Sequence, residues 1–303
     1  MTGEPDTLRP MREVTQAHYL HERHGLEAVL RPPVSQPTTL CWIPGREELI
    51  VATRSGELIS VDPVLGTRQI ANDVGEVAHL SVHPDRKRYL LLAREGHWRI
   101  GSLRGEVLSE GRHGFLGGMS GLFAKNYAVL VGDSVDERTM LIVGDGEIKV
   151  RKRLPARSAP GLGPDNRLIV AQSTPSGLSV RPLARRTRFD SFDSTAHRLQ
   201  ACNDMFLGLT PSGVAVWKAD GGQPSSLRFP DLTAGDISRD GLRVGLGTRS
   251  GAVALASLDN IEKRIRPNLI KAFEQPITSV RFSTRGRWLA TAAEAIQIWS
   301  WED

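Results

Sequence analysis

Apolar and polar positions along the chain recur as short runs separated by turn residues. "YLLLA", "YAVLV" and "RLIVA" are nearly continuous apolar runs. Such runs are expected for strands buried on both faces of a sheet. The C-terminal stretch "ITSVRFSTRGRWLATAAEAIQIWSWED" holds three strand-like runs: residues 277–282, "RWLATA" and "AIQIWSW". "STRG" supplies turn chemistry between the first two.

The same pattern repeats. Aligning the turn between the first two strands gives "IPGREELIVA", "HPDRKRYLLLA", "FAKNYAVLV", "GPDNRLIVA", "CNDMFLGL", "SRDGLRVGLG" and "STRGRWLATA". The turn residues are Gly45, Asp85, Lys125, Asp165, Asp204, Asp240 and Arg285, spaced by 40, 40, 40, 39, 36 and 45 residues. A second mark, a glycine or similar residue before the third strand, occurs as Gly56, Gly96, Gly177, Gly213 and Gly251, with "SVDERTMLIV" and "AAEAIQIW" in the remaining units. A period of about 40 residues in which each unit supplies a small sheet is the signature of a propeller. Small residues in the first strands, as in "GGMSG" and "TAGDIS", suit the crowding around a central channel.

The C-terminal unit has only three strands before the chain ends, so its fourth must come from elsewhere. "GLEAVLRPP" at 25–33 precedes the first unit and belongs to no other, and Pro32 and Pro33 stop it as a strand. The expected fold is all-β: a seven-bladed propeller of four-stranded antiparallel blades, closed by this N-terminal strand completing the last blade. Residues 1–24 are expected to be a flexible or locally helical extension. Residues 25–303 form one domain, with repeats beginning near 38, 77, 115, 157, 197, 232 and 277.

The repeats resemble the tryptophan-aspartate (WD) family, in which the third strand ends near Trp. Trp217 and Trp299 keep that tryptophan, but Ser300 stands where the aspartate would follow, and no unit has a complete Gly-His pair before its first strand. The units are therefore degenerate. The resemblance implies a protein-interaction scaffold that binds on the loop end of the ring. Degeneracy and arginine bias are also similar to the compact propellers of bacterial systems built with a MoxR-type ATPase and a von Willebrand A-like protein.

Composition adds limits. Cys41 and Cys202 fall in the first and fifth units, so no disulfide is expected. No apolar stretch approaches the roughly 20 residues needed to span a membrane, and the N-terminus is polar. The expectation is a cytoplasmic protein with no membrane partner. The net charge is +5, and only 7 of the 39 basic residues are lysine. That arginine bias follows from a GC-rich genome as readily as from anion binding.

Two basic runs, "KVRKRLPAR" and "RPLARRTR", place Arg151, Lys152, Arg153, Arg185, Arg186 and Arg188 on an outer rim. Charge commonly protects exposed sheet edges. With no aromatic residues interleaved for base stacking, nucleic acid is the lesser expectation. The loops between second and third strands carry Arg54, Arg94 and Arg249, with Asp133, Asp136 and Glu137 beside them and Glu294 interrupting. Arginine grips carboxylates through paired hydrogen bonds, so the expected partner is a protein with an acidic contact segment.

Catalytic chemistry is sparse. His18, His21 and His24 do not share one helical face, and neither a nucleophile elbow nor a P-loop occurs. No catalytic residue, metal or cofactor is expected. The alternative is a propeller hydrolase or lactonase with a channel site, for which the first strands offer mainly His79 and Asp236.

Overall fold

Each apolar run becomes the second strand of an antiparallel sheet, and the turn after it feeds a third strand back alongside. The computed structural model describes residues 26–301 except 63–64, 125–126, 155–157, 163–167, 175–176, 183–197, 203–204, 211–212 and 219–224. The chain opens with β1 (Leu26–Leu30). The first sheet is β2 (Pro37–Trp42), β3 (Leu49–Thr53), β4 (Leu58–Asp62) and β5 (Gly66–Ala71). The second is β6 (Val77–Val82), β7 (Arg88–Ala93), β8 (His97–Ser102) and β9 (Val107–Arg112). The third is β10 (Gly117–Phe123), β11 (Ala128–Asp133), β12 (Arg138–Gly144) and β13 (Glu147–Leu154).

Three strands form the fourth sheet among the described residues: β14 (Ala159–Leu162), β15 (Leu168–Thr174) and β16 (Gly177–Pro182). The fifth is β17 (Arg198–Cys202), β18 (Met205–Thr210), β19 (Gly213–Lys218) and β20 (Ser225–Arg228). The sixth is β21 (Leu232–Ile237), β22 (Arg243–Thr248), β23 (Ala252–Ser257) and β24 (Ile270–Lys271), with a short helix, α1 (Leu258–Glu262), before β24. The last strands are β25 (Ser279–Phe282), β26 (Leu289–Ala292) and β27 (Ile296–Trp301). Their sheet has the order β1-β27-β26-β25, with Leu26 opposite Trp301 and Ala28 opposite Trp299.

The burial pattern follows from stacking. β3 and β26 are buried at every position, and β7, β11, β18 and β22 at all but one. Apolar clusters join neighbouring sheets: Ile50, Ala52 and Leu58 pack with Leu80, Tyr89 and Leu91, and Leu207 and Leu209 with Val244 and Leu246. Packing runs from β2 to β6, β10, β14 and β17, then through β18 to β21, β25 and back to β2. At that return, Leu30, Ile296 and Ile298 share a cluster with Leu40, Trp42, Leu49 and Val51. The Trp42 indole N–H donates to the Arg281 carbonyl at 3.0 Å. Inner strands gathered around an axis with exposed outer strands are the arrangement of a β-propeller.

The two marks of the repeat have local causes. Asp85 and Asp240 fix their turns by accepting the backbone N–H two residues on, from Lys87 at 2.8 Å and Leu242 at 3.0 Å. Gly56, Gly96 and Gly251 adopt φ of 82°, 93° and 81°, a region costly for other residues. A Cβ at Gly251 would also collide with the carbonyl oxygens of Phe273 and Gln275.

The turn residues Lys125, Asp165 and Asp204, and the extension 1–24 with His18, His21 and His24, lie outside the described residues. α1 was not expected. It is capped by Ser257, whose side chain accepts from the Asn260 N–H, and only Ile261 is buried. The helix and the loop after it account for the long interval between Asp240 and Arg285.

Candidate functional site

The loops between second and third strands meet the connections between sheets at one end of the molecule. Backbone hydrogen bonds place Arg54, Arg94 and Arg249 at equivalent positions there. Each donates its N–H to the connection preceding its own sheet: Arg54 to Gln36 at 2.9 Å, Arg94 to Glu76 at 2.9 Å and Arg249 to Asp231 at 2.8 Å. Two of the loops share the sequence "TRSG" and the same internal bonding. Thr53 and Ser55 hydroxyls are 2.7 Å apart, and Thr248 and Ser250 hydroxyls 2.9 Å. The threonine oxygen then accepts the N–H of Glu57 at 3.1 Å or of Ala252 at 2.9 Å. A polar collar thus holds the loop while the arginine between its members points outward, exposed.

The three arginines differ in what they meet. Arg94 pairs with Glu76 at 2.9 Å. Among the described residues, neither Arg54 nor Arg249 forms an ion pair. Their sheets are neighbours through the last one, since β21 packs on β25, β25 on β2 and β2 on β6.

The acidic residues expected beside them are mostly engaged within the fold. Asp133 pairs with Arg138 at 2.6 Å. Arg138 also donates to the carbonyls of Ser158 at 2.7 Å and Gly118 at 3.1 Å, which makes it a tie to the next connection. Glu137 pairs with Arg153 of β13 at 3.1 Å, so the loop acid and the rim base neutralise each other. Asp136 remains exposed. Glu294 accepts the N–H groups of Glu274 at 3.1 Å and Gln275 at 3.3 Å. Burial tends to raise its pKa, but these donors, with its own N–H and Arg31, outweigh that and hold the carboxyl below its ordinary value. Its work is structural.

On the rim, Arg151 is exposed and Lys152 half-buried on β13. Arg185, Arg186 and Arg188 lie outside the described residues.

His113, just before β10, escaped the sequence reading because Arg112 replaces the glycine of a Gly-His pair. Its Nε2 lies 3.0 Å from the Ala93 carbonyl, and its Nδ1 accepts the Phe115 N–H at 2.9 Å. Only the neutral ring with hydrogen on Nε2 serves both contacts. Burial, aided by the nearby His97, lowers its pKa. A depressed folded pKa means stability is lost as pH falls below the ordinary histidine value of 6.5. Denaturant titrations through that window are expected to show this slope in the parent and a shallower one in His113→Gln.

The channel-side candidates are also engaged in joining sheets. His79 Nε2 lies 2.7 Å from the Gly121 carbonyl, linking β6 to β10. Asp236 is buried and accepts the Phe282 N–H at 2.8 Å, linking β21 to β25. Burial pushes the free Cys41 thiol up to about 11, against the pull of Arg281, which leaves it a poor nucleophile. Among the described residues, no group of three or more His, Cys, Asp or Glu is arranged to hold a metal. Nor, among them, is any helix long and apolar enough to cross a membrane.

This geometry defines a WD-like β-propeller with a loop-end surface. No family model matches the chain, and no curated protein is similar to it in sequence. Its fold is similar to the β-propeller domain of Cps50 (Swd1) from Myceliophteria thermophila, with a TM-score of 0.71 over 91% of this chain and 100% of that one, at 13% identity. At that identity the likeness concerns the fold.

Proposed function

We propose that the chain is a closed seven-bladed propeller, with β1 as the outer strand of the last blade, that serves as a non-catalytic protein-interaction module. Binding takes place at the loop end and uses Arg54 and Arg249, with Arg94 released from Glu76 when an acidic segment of the partner arrives. Asp136 contributes at the margin, whereas Asp133 and Glu137 act by shaping the neighbouring loop. The observation that carries this reading is the equivalence of the three arginines, each anchored through its backbone and exposed through its side chain. Anchored loops present a charged head at little further cost in ordering, which favours recognition. A cytoplasmic setting fits the chain, and the arginine bias and degenerate repeats are what support a MoxR-type system as that setting.

Affinity capture from the native host with the full chain as bait is expected to recover a defined protein partner. Assays with lactones, phosphoesters and peptides, metals supplied, are expected to show no turnover above background. Saturable turnover abolished by His79→Ala or Asp236→Ala would replace this reading with a channel enzyme.

A further inference from the structure

β13 is the outermost strand of the third sheet and, at 8 residues, the longest outer strand in the described chain. Every residue from Glu147 to Arg151, and Arg153, is exposed. Its register against β12 shifts between the pairs Ile142–Val150 and Val143–Ile148, so Lys149 is bulged out and 150–154 continue as a regular edge. Among the described residues, no strand pairs with that outer edge. A free edge presents a row of backbone donors and acceptors ready to pair with another strand.

The side chains show what kind of strand would fit. Paired residues on adjacent strands share a face. Ile148 is opposite Val143, which packs with Leu90, Leu92 and Trp98 of the second sheet. Val150 is opposite Ile142, which packs toward Leu168 and Val170 of the fourth. The two apolar side chains therefore lie on opposite faces, and both are exposed, at 39% and 43%. A body docking on one face would cover only one of them. An extended segment running along the edge reaches both.

Charge specifies the rest. Arg151 is opposite Leu141, on the Ile148 side, and is exposed. Glu147, the strand's one acid, is taken by Lys149 at 2.9 Å. Across the boundary to the second sheet, the Ser109 hydroxyl of β9 bonds the Gly146 carbonyl at 3.3 Å.

We infer that the outer edge of β13 is a second docking site, which accepts an extended acidic and apolar segment of a partner protein as a fifth strand. Main-chain hydrogen bonds supply the binding, and alternate side chains read it: acidic opposite Arg151, apolar opposite Ile148 and Val150. This site is separate from the loop-end reading, because Ile148, Val150 and Arg151 take no part there.

The probe is a fluorescent, N-acetylated peptide about eight residues long to match the strand, with glutamate at the positions opposite Arg151 and Arg153 and valine at the others. Anisotropy titration with the full chain is expected to give saturable binding, and hydrogen exchange to slow at those amides of 150–153 that face the outer edge. Arg151→Glu, which loses a charge-assisted contact, and Val150→Asp, which loses an apolar contact and sets a like charge against the acidic peptide, should each weaken binding about tenfold, with circular dichroism unchanged. Arg54→Glu should leave it unaltered, which separates this site from the loop end. Backbone N-methylation of the peptide should abolish binding. Equal binding of the N-methylated peptide, or no binding at all, overturns the inference. So does a dimer of the chain that Arg151→Glu dissolves, which would assign the edge to a second copy, or binding of a uridine oligonucleotide in place of the peptide.

Discussion

Deleting residues 1–31 is expected to destabilise the protein by on the order of 5 kcal/mol or to drive it into aggregates, whereas deleting residues 1–20 leaves its melting curve unchanged. The longer deletion removes β1 from the edge of β27 and strips a ladder whose bonds contribute about 0.5 to 1.5 kcal/mol each. It also removes Leu30, which is only 5% exposed among Ile296, Ile298 and Leu40. Burying such a side chain contributes about 1.5 to 3 kcal/mol. The Gln297 amide, buried and donating to the Leu30 carbonyl at 3.2 Å, would lose that contact. Ala28 would no longer cover the side of Trp299. Against a typical total of about 5 to 15 kcal/mol, these losses are large. Leu30→Asp tests the side chain with the backbone ladder kept, because it replaces a buried apolar group with an unpaired charge. Thermal melts of both truncations and of Leu30→Asp test the proposed closure. Equal melting of all three and the parent would remove it.

The parts of this fold that were legible in the sequence are those set by local chemistry. Continuous apolar runs such as "YLLLA" marked strands covered on both faces, because burial between two sheets forbids alternation. Asp85 and Asp240 were legible because a carboxylate two residues before its backbone donor is a local device. Gly56, Gly96 and Gly251 were legible because each stands where the backbone is left-handed. What escaped depends on register and on distant partners. Glu137 read as an acid of the binding face because its base, Arg153, arrives only through the pairing of β12 with β13. Asp133 is a nearer miss: it faces Arg138 across a hairpin that brackets "SVDE". Glu294 read as an interruption among arginines because the amides it holds, Glu274 and Gln275, lie in the preceding connection. α1 is five residues long, too short to show helical periodicity, and its one buried side chain gives no stripe.

Reversing Arg54, Arg94 and Arg249 together to glutamate is expected to abolish capture of the partner while the protein remains folded. The folded state tolerates the change because all three side chains are exposed and loop anchoring uses the backbone N–H groups, which glutamate retains. Exposed substitutions of this kind shift stability by about 0.5 kcal/mol. The Arg94→Glu change adds a local cost, since the new carboxylate would face Glu76 across the former ion pair. Binding responds far more strongly. Each arginine that meets a carboxylate contributes a charge-assisted contact of about 1.5 to 3 kcal/mol, and reversal replaces it with repulsion. The single variants should rank accordingly. Arg54→Glu and Arg249→Glu lose more than Arg94→Glu, because Arg94 must first leave Glu76. Raising the salt concentration should weaken capture by the parent and leave the residual binding of the triple variant nearly flat, since screening acts on exposed charges.

The central claim is that the loop end recognises a protein partner through its anchored arginines. It is tested most directly by titrating the captured partner, once purified, against the parent chain and the folded triple variant by isothermal calorimetry. The account predicts a saturable, salt-sensitive binding isotherm for the parent and none for the variant at the same concentrations. An unchanged isotherm from a triple variant with the parent's melting temperature would contradict it.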